Sequence, residues 1–359
     1  MRVLLLGGTG CVGSAAAAAF AAAGHTVLVF HRGSEPPCRL SGHLHGNRLE
    51  LEAWQDAFAD FAPEVVVDAI AASAPAVRRT LRLFELPGPG RALARMVLLS
   101  SLDVYRASGI FHGTEAGAPD PVPFAESAPL LGHPGLLPAS TLARLRDLHG
   151  WLEEGYDPLG MERAAARWRL ALGAAGPQLT ILRLAPVYGP LDRDRRLYPL
   201  LRRMLDRRPV IVLPQRWAEW RSSRLAAANA AAGILAAAFQ PRAAGRVYNL
   251  ADATTFSEAG WVLALGQACG WRGQLLLFPA QHVPVHLRVH ANLAQPLVAD
   301  SSRIRLELGY RDAVTPAAAL ASALAWERSL PAPAGDSSRA DYAAEDLALR
   351  SLGIAARAA

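Results

Sequence analysis

The strongest constraint on the fold is the N-terminal stretch MRVLLLGGTGCVG, residues 1–13. Val3 to Leu6 form a continuous apolar run, which is typical of a parallel strand that is buried on both faces. The glycines that follow are spaced three residues apart, at Gly7, Gly10 and Gly13. An alanine-rich run (14–23) then predicts a helix, and a second apolar run (26–30) predicts another strand. This order predicts a βαβ unit that binds a nucleotide.

The physical chemistry of a dinucleotide site explains the glycines. They permit a tight turn and a close approach of the backbone to a pyrophosphate, whose charge is stabilised by the helix N-terminus. A signal peptide is the alternative interpretation, but the glycines interrupt the apolar core that such a peptide needs. The residues that we predict to contact the cofactor in this turn are Gly7, Gly10, Cys11, Val12 and Gly13.

Strands and helices continue to alternate along the chain. Strands are predicted at 64–71, 95–100 and 179–184, with helices between them. This alternation predicts a doubly wound parallel sheet with right-handed crossovers. Beyond residue 190 the elements become shorter and mixed, with predicted helices at 225–239, 257–269 and 316–328 and strands at 246–250 and 275–278.

Four further motifs carry a resemblance to a known family. They are LLSSLDVY (98–105), RLAPVYGP (183–190), GRVYNLAD (245–252) and DSSRIRLELGY (300–310). With the glycine turn, they make the chain up to about residue 330 resemble the short-chain dehydrogenase/reductase superfamily, in its extended NAD-dependent epimerase/dehydratase branch. The resemblance implies a Rossmann-type sheet with a smaller C-terminal α/β lobe that binds the substrate.

The domain organisation follows from this resemblance. Residues 1–190, with parts of 220–255, are expected to form the NAD(P)-binding domain. Residues 191–330 are expected to form most of the substrate lobe. Residues 331–359 are interpreted as a linker and a C-terminal helix that begins near Asp341.

The end of the second strand bears on the choice of cofactor. His31 lies where NAD-preferring members carry an acid for the ribose hydroxyls, and Arg32 follows it. A guanidinium can pair with a 2′-phosphate, so NADP is favoured over NAD, unless Arg32 only stacks on adenine. Further cofactor contacts are predicted from the family's pattern at Asn47, Ala69, Ala71, Ser100, Pro186 and Val187.

The catalytic residues depart from the family's pattern. Ser101 matches the family's serine, but the sequence contains no lysine, so all 37 basic residues are arginine. The usual tyrosine-lysine pair of the family is therefore missing. The candidate helix can be aligned with the family's pattern in two ways, and these place Pro158 or Gly160 at the position of the lysine. We expect Tyr156, oriented by Asp157 or an arginine, or else Tyr105, to act as the acid/base. Without an arginine in place of the lysine, Tyr156 is expected to stay near its ordinary pKa of about 10.

A stretch rich in arginine and tryptophan (216–224) is the candidate substrate contact. Arginines here bind the substrate's anionic group in the family, so Arg221 and Arg224 are predicted to clamp an anion and Trp220 to stack on a flat substrate. The alternative is a surface loop whose tryptophans pack against the sheet.

Composition excludes other classes of function. The net charge is +6, but the arginines are scattered, and the densest run (192–208) is interpreted as an amphipathic helix, so nucleic acid is not expected as a partner. No apolar run is long enough to cross a membrane. Three cysteines without metal-ligand spacing indicate a reducing cytoplasm and no metal, and Pro284 argues against a histidine site at 282–290.

Three hypotheses remain open. The first is an NAD(P)-dependent oxidoreductase or epimerase/dehydratase-like enzyme that acts on a small polar or anionic metabolite with an unusual acid/base. The others are a catalytically silent NAD(P)-binding sensor or subunit, and a non-redox lyase or cyclase. The irregular stretch 106–138 is interpreted as a lid or a disordered excursion. By resemblance, helices at 74–86 and 139–172 imply a homodimer.

Overall fold

The structure is a computed structural model that describes residues 1–33, 42–84, 94–133, 137, 139–149, 152, 154–173, 176–331 and 341–354. Cys38 and residues 332–340 of the predicted linker (331–340) lie outside these residues. The strands are β1 (Arg2–Leu6), β2 (Thr26–His31), β3 (Gly42–His45), β4 (Val65–Asp68), β5 (Arg95–Ser101), β6 (Gln178–Leu184), β7 (Val187–Tyr188), β8 (Val210–Pro214), β9 (Leu225–Ala226), β10 (Val247–Leu250) and β11 (Gln274–Phe278).

Seven of these strands form one parallel sheet in the order β3-β2-β1-β4-β5-β6-β10. The predicted doubly wound fold is thus confirmed. Because β1 lies between β2 and β4, the chain reverses its direction of progress across the sheet at this point. Such a switch point opens a crevice at the carboxyl ends of the strands, where ligands bind in folds of this kind.

Helices cover both faces of the sheet and build the second lobe. They are α1 (Cys11–Ala22), α2 (Gln55–Phe61), α3 (Ala74–Leu83), α4 (Arg106–His112), α5 (Ala139–Leu148), α6 (Pro158–Leu172), α7 (Tyr198–Leu205), α8 (Gln215–Glu219), α9 (Ala227–Phe239), α10 (Glu258–Cys269), α11 (Ser302–Leu308), α12 (Pro316–Ser329) and α13 (Tyr342–Ser351). None of the helices in these ranges is long and apolar enough to cross a membrane.

The apolar run of β1 is continuous because each face of the sheet has its own core. Val3 and Leu5 pack into the core that includes α1 and α9. Leu4 and Leu6 point to the opposite face, into the core that includes α3 and α6. Alternate residues of one strand therefore serve two cores, as expected of a strand buried on both sides.

The second lobe has a smaller core of its own. Strands β8 and β11 pair in parallel, and helices α7, α10 and α12 pack together nearby. Helix α13 covers the β8–β11 pair, with Leu349 buried against Val212 and Phe278. Inside this contact the Glu345 carboxylate accepts hydrogen bonds from Arg203.

Several predicted element boundaries are wrong. Helix α7 spans only Tyr198–Leu205 of the predicted run 192–208, and Pro199 lies in its first turn. The stretch 106–138 is not wholly irregular, since it contains α4. Its backbone is also held to the second lobe, because Phe124 hydrogen bonds with Val298 and Asp300. Those distant partners explain why sequence periodicity did not reveal an ordered segment.

Candidate functional site

A cleft of about 520 Å³ opens at the switch point, where β1, β2, β4 and β5 end. All thirteen residues predicted to contact a cofactor line it. They are Gly7, Gly10, Cys11, Val12, Gly13, His31, Arg32, Asn47, Ala69, Ala71, Ser100, Pro186 and Val187. The candidate catalytic residues Ser101 and Tyr156 line the same cleft. The fold therefore gathers residues from seven different parts of the chain into one site.

The glycine turn is shaped to hold an anion. A Cβ on Gly13 would lie 1.9 Å from the carbonyl oxygen of Gly7, so only glycine allows this close packing. A Cβ on Gly10 would meet no atom within 4 Å. Gly10 also caps α1 without any side-chain hydrogen bond, and the first turn of α1 has no acidic residue. These features fit a pyrophosphate at the helix N-terminus.

Histidine replaces the expected acid at the end of β2. The His31 ring is buried, with Nδ1 3.2 Å from the Gly33 carbonyl oxygen and Nε2 3.2 Å from His43 Nδ1. Arg32 is exposed at the same edge. Asn47 also lines the cleft, but its side chain accepts a hydrogen bond from the Leu49 amide and so caps the helical turn that follows.

The candidate acid/base lies at the end of β5. The Tyr156 hydroxyl donates a hydrogen bond to Asp103 Oδ2 across 2.5 Å. Ser101 Oγ accepts a hydrogen bond from the Asp103 amide, which fixes the turn that carries this carboxylate. Burial, and then the charge of Asp103, raise the pKa of Tyr156 well above its usual value, so the expectation of an ordinary pKa is wrong.

The orienting residue also differs from the expectation. Helix α6 begins at Pro158, so Tyr156 precedes the helix instead of lying in it. The Asp157 carboxylate caps that helix by accepting a hydrogen bond from the Gly160 amide. It is therefore Asp103 that meets the tyrosine hydroxyl, and a cap role accounts for Asp157.

Further ionisable residues line this end of the cleft. His149 Nε2 lies 3.0 Å from Asp194 Oδ1, in the segment that follows β7. Arg196 pairs with Asp192 and also contacts Asp194. Cys11 lies near these groups, and burial raises the pKa of its thiol to about 12, so it stays protonated.

Tyr105 lies away from this chemistry. Its ring is fully buried, and its hydroxyl donates to Asn249 Oδ1 at 2.6 Å and accepts a hydrogen bond from Arg183. Arg183 is paired with the buried Glu162 carboxylate, to which Ser100 Oγ also donates. Tyr105 is not among the described residues that line the cleft, and this network explains its position in the core.

The arginine and tryptophan stretch is also placed elsewhere. The Trp220 indole donates to the Gln295 carbonyl oxygen and stacks between Phe111 and Trp217. Arg224 pairs with Glu258, and Arg221 donates to the Thr255 carbonyl oxygen. None of Trp220, Arg221 and Arg224 is among the described residues that line the cleft. The histidines at 282 and 286 lie in short helical turns, and no set of metal ligands occurs within the described ranges.

Residues 3–117 match the model of the NAD dependent epimerase/dehydratase family. The matched segment contains the glycine turn, strands β1 to β5, Ser101 and Asp103. It ends before Tyr156, so the match does not extend to the candidate tyrosine. No curated protein matches the chain significantly.

Several solved structures share the fold of this chain. A putative epimerase from Burkholderia cenocepacia is 21% identical, with a TM-score of 0.65 over 92% of this chain and 98% of that chain. UDP-glucuronic acid 4-epimerase from Bacillus cereus in complex with NAD is 16% identical, with a TM-score of 0.64 over 92% and 99% of the two chains. A short-chain dehydrogenase/reductase superfamily protein from Agrobacterium tumefaciens with bound NAD is 19% identical, with a TM-score of 0.62 over 92% and 98%.

Several residues that line the cleft were not predicted from the sequence. Asp103 lies in the LLSSLDVY motif (98–105), so the sequence itself indicated its carboxylate as a candidate partner for a tyrosine. His149 lies in no motif, and Arg193, Asp194 and Arg196 lie in the charged run 192–208, which was interpreted as an amphipathic helix; all four approach the cleft only through the fold.

Proposed function

We propose that this chain is an NAD(P)-dependent oxidoreductase or epimerase/dehydratase-like enzyme in which Asp103, Tyr156 and Ser101 form the acid/base group. The observation that carries the proposal is that these three side chains meet at the end of β5, in the same cleft as the glycine turn. A positioned acid/base beside a dinucleotide site is what hydride transfer to or from an alcohol requires.

The residues of the cleft fit the cofactor. The amides at the start of α1 and the open space above Gly10 would hold the pyrophosphate, while His31 and Arg32 would contact the adenosine ribose. The family that matches residues 3–117 is NAD-dependent, and two of the solved relatives hold NAD. When bound, the nicotinamide ring accepts or returns a hydride. Arg32 favours NADP as the preferred form.

The proposed acid/base group shifts the pKa of its tyrosine in the direction opposite to that of a tyrosine-lysine pair. A lysine ammonium lowers a tyrosine pKa, whereas Asp103 raises that of Tyr156. Tyr156 therefore keeps its proton near neutral pH. In alcohol oxidation, Tyr156 Oη would take the proton of the substrate hydroxyl while its own proton passes to Asp103 Oδ2. Ser101 would orient the substrate oxygen, and the reverse transfers would serve carbonyl reduction.

The substrate is proposed to be a small polar or anionic metabolite, with sugar nucleotides as the first class to test. The support comes from solved relatives, including a UDP-glucuronic acid 4-epimerase. We propose that residues 191–330 form most of the substrate lobe, since this part of the chain borders the cleft through Asp192 to Arg196. Trp220, Arg221 and Arg224 are proposed to stabilise that lobe, because their polar groups already have protein partners.

A silent NAD(P)-binding protein is the second candidate. It is favoured by the absence of lysine from the chain together with a tyrosine that retains its proton. The two candidates differ in whether the bound cofactor is ever reduced or oxidised.

The test is a turnover assay. The purified protein is incubated with NAD or NADP and a panel of UDP-sugars, and both nicotinamide absorbance and epimer formation are followed. Ser101→Ala and Tyr156→Phe are each expected to lower kcat by about 10² or more while leaving cofactor affinity unchanged. Tyr342→Phe is the matched control, because Tyr342 also donates to an aspartate at 2.5 Å, Asp206, outside the cleft. Full activity in both cleft variants would contradict the assigned roles.

A further inference from the structure

The segment that follows β7 crosses to the adenosine end of the cleft. We call residues 189–197 the bridging segment. Gly189 lies against the glycine turn, since a Cβ there would be 3.7 Å from Cys11 Sγ. Farther along, Arg193 reaches the end of β2, where a Cβ on Gly33 would lie 3.4 Å from Arg193 Nη2. The segment therefore links the second lobe to the proposed pyrophosphate and adenosine parts of the dinucleotide site.

The backbone of the bridging segment is fixed by its own contacts. Asp192 is buried and pairs with Arg196, whose guanidinium also donates to the Val187 carbonyl oxygen at 3.0 Å. Leu191 and Arg195 adopt left-handed backbone conformations, with φ of 65° and 47°, which non-glycine residues rarely do. Such strain persists only where surrounding contacts enforce it.

Arg193 differs from the other charged residues of this segment. Asp192 and Asp194 pair with Arg196, and Arg195 pairs with Glu327. Arg193 has no ion-pair or hydrogen-bond partner within the described ranges, although it lines the cleft. The bridging segment, whose backbone is fixed by its contacts, thus presents to the cleft one guanidinium, that of Arg193, without an ion-pair partner among the described residues.

Other polar groups converge on the same corner. Thr9 Oγ1 lies 2.7 Å from the position that a Cβ on Gly33 would occupy, and Arg32 directly precedes Gly33. The Thr9 hydroxyl and the Arg193 guanidinium beside Gly33, with Arg32 lining the same cleft, form a complementary site for a phosphate group. In a dinucleotide whose pyrophosphate lies on the glycine turn, the ribose at the end of β2 carries such a group only in NADP.

We propose that Arg193 and Arg32 together bind the 2′-phosphate of NADP, so that the second lobe closes directly on the cofactor. This inference rests on the proposed dinucleotide binding and extends it. It assigns NADP selectivity in part to Arg193, which lies outside residues 3–117, the segment that matches the family model. The sequence at the end of β2 does not by itself indicate this residue.

The experiment compares two small probes by calorimetry, adenosine 2′,5′-bisphosphate and 5′-AMP, which differ only in the 2′-phosphate. The wild type is expected to bind the bisphosphate about tenfold tighter or more, and Arg193→Gln to lose about tenfold of that preference with 5′-AMP affinity unchanged. Arg216→Gln is the matched control, since Arg216 is exposed on α8 and does not line the cleft.

The other outcomes are distinguishable. If Arg193→Gln weakens both probes equally, Arg193 contacts another part of the nucleotide, and the proposal is overturned. If it weakens neither, Arg193 does not bind the ligand at all. If the wild type binds neither probe, nor NAD nor NADP, the proposed function itself fails, independently of Arg193.

Discussion

The hydroxyl of Tyr156 and the carboxylate of Asp103 form a 2.5 Å hydrogen bond at the edge of the cleft. These residues are 53 positions apart, one after β5 and the other before α6. The pair places a negative charge beside the tyrosine, whereas the lysine of a tyrosine-lysine pair brings a positive one. A tyrosine held in this way is a proton donor near neutral pH, and its anion is disfavoured.

Removal of the Asp103 charge is therefore expected to lower the pKa of Tyr156. Asp103→Asn eliminates the like-charge repulsion that opposes ionisation of the tyrosine, while burial continues to raise its pKa. The measurement is an ultraviolet titration of tyrosinate in Asp103→Asn and in wild type, each compared with the matching protein that also carries Tyr156→Phe. An unchanged or higher Tyr156 pKa in Asp103→Asn would contradict this account of the pair.

The pair of Tyr156 and Asp103 also determines how turnover is expected to depend on pH. In the wild type, turnover is expected to be level from neutral pH to about pH 9, since Asp103 and not a tyrosine anion is the terminal base. In Asp103→Asn the lower residual activity is expected to rise with pH, because Tyr156 must then ionise. A wild-type profile that climbs steadily above neutrality would indicate catalysis by the tyrosine anion.

Gly10→Asp is expected to abolish dinucleotide binding. The new carboxylate would enter the open space above the glycine turn, where it would repel and obstruct a pyrophosphate. Titration with NADP and NAD by calorimetry measures the loss. Ala18→Asp adds the same charge on an exposed position of α1 outside the cleft and is expected to bind normally. Undiminished affinity in a folded Gly10→Asp protein would refute the pyrophosphate assignment.

Glu162→Ala is expected to destabilise the protein by about 3 to 5 kcal/mol, because it leaves the buried Arg183 charge without its partner. Ser100 Oγ would lose its acceptor in the same network. Chemical denaturation gives the free energy of unfolding. In the control Glu52→Ala, which removes an exposed partner of Arg79, the loss should be below about 1 kcal/mol. Equal losses in the two variants would contradict the structural role of the buried pair.

A homodimer remains a prediction, with light scattering expected to give about twice the monomer mass of 38.2 kDa. Helices α3 and α6 pack together, and their exposed residues include Arg78, Arg82, Arg163 and Arg167. Because these like charges would repel across a symmetric interface, the dimer fraction is expected to rise with salt concentration. A monomer mass at micromolar protein under both low and high salt would exclude the dimer.

The sequence by itself determined the parts of this protein that depend on local chain geometry. The apolar run of β1 predicts a strand buried on both faces, and the glycine spacing predicts a turn that admits a phosphate. Both depend on residues within about thirteen positions of one another. For the same reason the sequence indicated His31 and Arg32, because His31 ends β2, Arg32 follows it, and β2 lies beside β1.

Only the tertiary structure decided which side chains meet across the cleft. Three residues predicted to take part in catalysis or substrate binding, Tyr105, Asp157 and Arg224, have structural roles in the fold: a buried network, a helix cap and an ion pair, respectively. Asp103 meets Tyr156, and Arg193 meets the end of β2, only because distant segments converge at the switch point. Contacts between residues so far apart in the sequence depend on how whole elements pack, and local periodicity does not predict them.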